Sequence, residues 1–97
     1  MILEIVSPEA TLFKGQVTAV SVPGINGEFQ MLSNHAPIVS LLVEGRIKIA
    51  GTNLQFEPQF ENRFENRFEK IDNNTYYLPI KSGTLELKDN KINILAN

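Results

Sequence analysis

Turn-forming residues punctuate most of this sequence every few positions, and outside 54–71 the segments between them are too short for helices. Asp89-Asn90 separates TLELK (84–88) from KINI (91–94), and each segment alternates apolar and polar side chains strictly. A period of two puts one face in a core and the other in water, which specifies half-buried strands joined by a tight hairpin. RIKI (46–49) alternates in the same way. ILEIV (2–6) is a short apolar strand closed by Ser7-Pro8-Glu9, 11–14 continues extended to an expected turn at Gly15, and 16–22 is rich in β-branched residues. Gly51-Thr52-Asn53, Asp72-Asn73-Asn74 and Ser82-Gly83 read as further turns, with a strand starting at Leu54-Gln55-Phe56. TYYLPI (75–80) is strand-like, and its Pro79 points to a sheet edge or a bulge. Many short strands and no convincing helix predict an all-β fold, a flattened antiparallel β-sandwich of about eight to ten strands.

The stretch 20–45, VSVPGINGEFQMLSNHAPIVSLLVEG, organises the rest. Val20 and Val22 face one side of a strand that Pro23-Gly24 is expected to stop, and Asn26-Gly27 is a turn signal between antiparallel strands. Residues 28–32 run extended, 38–42 form a strongly apolar strand, and Glu44-Gly45 turns the chain again. Two polar-tipped loops result, 24–27 and 33–37. Placed together at one end of a sheet, they would be the natural seat of function.

This stretch resembles the N-terminal domain of the epsilon subunit of F-type ATP synthase. That family typically reads V-S-V-P-G, then G-E-x-G-I-L-P-G-H-A-P, then P-G-x-I. The matching residues are Val20-Ser21-Val22-Pro23-Gly24, Gly27-Glu28-Phe29, His35-Ala36-Pro37 and Glu44-Gly45-Arg46-Ile47. Gln30 replaces the family's Gly, Ser33-Asn34 its Pro-Gly, and Glu44 its Pro. The resemblance covers about 2–49 and 76–96 and implies the family's flattened β-sandwich.

At 97 residues one domain is expected, 1–97, with an insertion at about 54–72. A net charge of −2 argues against nucleic-acid binding, which normally needs a basic patch. The absence of cysteine excludes disulfides and thiolate metal sites. No apolar run approaches the roughly 20 residues of a spanning helix, and no basic-then-apolar leader opens the chain. A soluble protein follows, able to dock on a membrane complex.

Catalytic chemistry has little to stand on. His35 is the only histidine and has no nucleophile, second ligand or carboxylate cluster nearby in sequence. A loop hydrogen bond or an interface role suits it better. Gly24-Ile25-Asn26-Gly27 lacks the Lys-Ser/Thr of a phosphate-binding loop. The expectation is therefore no enzyme, no cofactor, no metal and no nucleotide site.

The segment 56–70 reads FEPQ-FENR-FENR-FEK, a near-tandem tetrapeptide. In a helix Glu57, Glu61, Glu65 and Glu69 would stack at i,i+4 and repel. In a strand Phe60, Phe64 and Phe68 share one face, and charges of alternating sign share the other. An extended hairpin arm between Ile47 and Tyr77 is favoured, with a single amphipathic helix as the alternative. Its Phe row is either a docking surface or a surface duplication packed against the sandwich.

The resemblance implies a mechanical role. In that family the domain sits in the central stalk, held to the gamma subunit and standing on the ring of c subunits. Gly27, Glu28 and Phe29 would then face the c-ring, and Ser7, His35 and Ser40 the gamma subunit. The implied location is peripheral, on the cytoplasmic face of the bacterial inner membrane. The alternative is a stand-alone β-sandwich binding module for a peptide or glycan, with Tyr76, Tyr77 and the arm's Phe as its aromatic candidates. The family's C-terminal helical pair finds no match here, so neither nucleotide binding nor a helical brake is expected.

Overall fold

The computed structural model describes residues 1–52, 54 and 68–97. Among these residues ten strands follow in order: β1 (Ile2–Val6), β2 (Thr11–Gln16), β3 (Ala19–Gly24), β4 (Gly27–Leu32), β5 (Ile38–Leu42), β6 (Gly45–Ala50), β7 (Glu69–Asp72), β8 (Thr75–Ile80), β9 (Gly83–Lys88) and β10 (Lys91–Ala96). No helix occurs among the described residues.

Hydrogen bonding links the strands in the order β2-β1-β10-β9-β5-β3-β6-β8-β7, with β4 on the free side of β3. β3 is where this path bends. It pairs β6 through Ala19, Val20 and Ser21, then passes the same edge to β5 at Gly24, opposite Leu42. Two five-stranded layers result, β2-β1-β10-β9-β5 (layer II) and β4-β3-β6-β8-β7 (layer I). Between β2 and β3 the chain crosses back. Val17 N–H donates to Met1 in one layer, and Thr18 N–H donates to Ala50 in the other. The expected all-β flattened sandwich is what forms. Among the described residues its one departure from antiparallel pairing is β1 beside β10, two strands joined only through the intervening chain.

Strict alternation fills the space between the layers. Leu3, Ile5, Val20, Val22, Ile47, Ile49, Leu85, Leu87, Ile92 and Ile94 are each at most 1% exposed. Burying each such side chain contributes about 1.5–3 kcal/mol, so the interleaved faces hold the layers together.

Turn chemistry is legible at Asp89-Asn90. Both residues have positive φ, 52° and 62°, as a two-residue type I′ hairpin requires. Pro79 lies beyond Tyr77, the last β8 residue that β7 pairs, so its missing N–H faces an open edge as expected.

Three local expectations were wrong. Gly15 does not turn the chain; it sits inside β2 opposite Leu3. Pro23-Gly24 does not stop β3. The strand runs through both residues to a turn at Ile25-Asn26, since Pro23 still offers its carbonyl, to Val43 N–H at 2.9 Å. Gly83 opens β9, and the chain turns one residue earlier, at Lys81-Ser82. The strand expected from Leu54 and the body of the repeat arm fall largely outside the described residues. Leu54 and Phe68, on either side of the arm, are half-buried against the core, and β7 pairs β8.

Candidate functional site

The β3–β4 hairpin carries Gly27, Glu28 and Phe29. Gly24 and Gly27 face each other across its mouth. A Cβ on Gly24 would lie 2.8 Å from the Gly27 carbonyl oxygen and 2.8 Å from the Phe29 ring, so the half-buried ring lies directly over bare backbone. Gly27 has φ +119°, a conformation that side chains rarely adopt. The tight tip leaves Glu28 and Ile25 exposed, the latter at 58%.

The loop 33–37 leaves the opposite end of β4. The two polar loops therefore do not share one end of this strand; they flank its length of about 17 Å. Asn34 stands where the resembling family has Gly and takes φ +68°, which Asn tolerates because its short amide bonds locally. Its backbone N–H donates to Asn90 Oδ1 at 2.9 Å, tying the loop to the β9–β10 turn. His35 is exposed, and its Nδ1–H donates to the Ala36 carbonyl at 2.6 Å. Replacing Asn90 with Val should cost about 1–2 kcal/mol, because a branched side chain at φ 62° is strained. The lost Asn34 tether should also raise amide exchange in 33–36, measurable by NMR.

Ser7 is locked in its own turn, its Oγ donating to the Ala10 carbonyl at 3.2 Å and accepting from Ala10 N–H at 3.3 Å. It follows the end of β1, whereas the His35 loop is tied to the turn beside the start of β1, where Ile2 N–H meets Asn90. Ser7 and His35 thus mark opposite ends of layer II. Ser40 lies between them on β5, but it is half-buried opposite Leu85 and its Oγ donates to the Leu41 carbonyl at 3.0 Å. Ser40 opens instead into a hollow of about 340 Å³ shared with Gly27, Glu28 and Phe29.

The outer face of layer II carries what sequence reading missed. Val6, Leu95, Thr84 and Leu41 form one row across β1, β10, β9 and β5; Glu4, Asn93, Glu86 and Val39 form the next. Val39 is 77%, Leu41 57% and Leu95 50% exposed. All of these residues except Leu41 line a shallow groove of about 500 Å³. Its signal in the sequence was IVSLL (38–42), an apolar run that fails to alternate. Among the described residues no group of three or more His, Asp or Glu could hold a metal. No helix among them is long and apolar enough to cross a membrane.

Residues 1–58 match the family model described as the ATP synthase delta/epsilon chain, beta-sandwich domain. The chain belongs to this family. Among curated epsilon-chain relatives, that of Maridesulfovibrio salexigens is 34% identical over 99% of this chain and 54% of its own length. That of Leptospira interrogans is 34% identical over 98% of this chain and 59% of its own length. This member of the family thus spans little more than half the length of these relatives. Solved structures share the fold. A chain of the Euglena gracilis mitochondrial ATP synthase, in a structure of its OSCP, F1 and c-ring, superposes with a TM-score of 0.68 at 18% identity, covering 99% of this chain and 49% of that one. A chain from the Tetrahymena thermophila central stalk and c-ring gives 0.63 at 13% identity, over 98% and 61%.

Proposed function

We propose that this delta/epsilon-family sandwich is a non-catalytic rotor subunit of ATP synthase. In this reading it holds the gamma subunit to the c-ring and helps couple proton translocation to ATP synthesis, peripheral to the membrane on its cytoplasmic face. The observation that carries the reading is the set of exposed apolar side chains Leu95, Leu41 and Val39 on layer II, with half-buried Val6 at the end of their row. Apolar area of this kind on a rigid sheet marks a protein contact, and it lies between the two ends marked by Ser7 and His35. The β3–β4 tip, with Glu28 and Ile25 exposed, is the second contact and faces the c-ring. A stiff sandwich bearing two such surfaces transmits torque without bond chemistry.

The full chain mixed with purified gamma subunit should give a one-to-one complex by size-exclusion chromatography with light scattering. Leu41→Asp should weaken it at least tenfold, because a carboxylate would replace an apolar contact. Failure of the wild-type chain to bind gamma ends this reading. The glycan-or-peptide module needs an open aromatic platform, but the Arg46 guanidinium sits 4.2 Å over the Tyr77 ring.

A further inference from the structure

The outer face of layer II contains a charge that its apolar neighbours do not explain. Glu86 stands in the middle of the sheet, opposite Val39 on one side and Asn93 on the other. Thr84 precedes it on the same face, in the row that joins Leu95 to Leu41. The other carboxylate of this face, Glu4, is compensated: Lys91 Nζ lies 3.8 Å away, and Lys14 is its cross-strand partner. Glu86 has no cation within salt-bridge distance among the described residues. Lys88, two residues along the strand, stands about 7 Å away along the backbone.

Glu86 costs nothing while the face is in water. Any partner that covers Val39 and Leu41 must cover Glu86 as well, because the three stand side by side on adjacent strands. A desolvated carboxylate without a counter-charge would cancel a large part of the affinity gained from the apolar row. We infer that Glu86 is the specificity-determining residue of this face, selecting a partner surface that presents one Lys or Arg among apolar side chains. The inference rests on the docking reading above and names what the gamma surface must supply. The groove around Glu86 gives such a side chain room to enter between Val39 and Leu95.

The test is calorimetric titration of purified gamma subunit with the wild-type chain, Glu86→Gln, Glu86→Lys and Leu41→Asp, each at low and high salt. Glu86 is exposed, so its variants should unfold at the wild-type denaturant midpoint. Glu86→Gln should bind threefold to tenfold more weakly and lose most of the salt dependence. Glu86→Lys should bind at least thirtyfold more weakly. Wild-type affinity in Glu86→Lys, alongside lost binding in Leu41→Asp, would leave the docking reading standing and overturn the role of Glu86. Tighter binding by Glu86→Lys would overturn it too, since the partner would then be acidic. Absence of binding by the wild-type chain refutes the docking reading itself, and the role of Glu86 falls with it.

Discussion

Phe13→Ala should lower the unfolding free energy by about 3–5 kcal/mol, a large share of what holds a domain of this size together. Phe13 is 1% exposed although β2 is the outermost strand of layer II. Its ring reaches back over Gly15, where a Cβ would sit 3.5 Å from the ring tip, and its cross-strand partner is the fully buried Ile5. Removing the ring leaves a cavity at an edge that only this strand seals. Urea unfolding followed by circular dichroism should show the midpoint falling with the slope unchanged. A loss below about 1 kcal/mol would mean that β2 collapses onto the gap and the edge is softer than its burial indicates.

Gly24→Ala should cost about 1–3 kcal/mol through overpacking and should disturb the hairpin tip as well. The added methyl would press on a backbone carbonyl and on the Phe29 ring at once, and the backbone cannot swing aside because Gly24 also joins the layers opposite Leu42. Gly27→Ala makes the informative contrast. Nothing lies within 4 Å of its Cβ position, so its penalty is backbone strain alone at φ +119°. Thermal unfolding should show both variants destabilised. Only Gly24→Ala should also shift the Phe29 ring resonances, because only there does the methyl meet the ring. Unchanged stability in Gly24→Ala would show that the layers are joined more loosely than the contact distances indicate.

Much of this architecture was legible in the sequence because its rules are local. Alternation in 84–88 and 91–94 placed Leu85, Leu87, Ile92 and Ile94 on one buried face, and Asp89-Asn90 marked the turn, since short polar side chains tolerate positive φ. The misreadings at Gly15 and Pro23-Gly24 share a cause. Each residue can break a strand, but here tertiary neighbours fill the space and keep the ladder running: Phe13 lies over Gly15, and Val43 bonds the Pro23 carbonyl. Asn34 in a glycine's conformation was likewise invisible, because its tether is Asn90, 56 residues away in sequence.

The site followed the same division. Glu28 at a hairpin tip could be read from Gly27 and the flanking strands, since tight turns present their flanks to solvent. That Ser40 shares a hollow with this tip, and that exposed Leu41 and Leu95 share one row with half-buried Val6, could not. The row arises from pairing β1 with β10 and β5 with β9, strands distant along the chain, and the hollow from the contact of β5 with β3. Side-chain period and turn chemistry thus determined which residues form strands and which of their faces are buried. Only the closed sandwich decided which outward faces lie side by side, because long-range register sets the order of the strands.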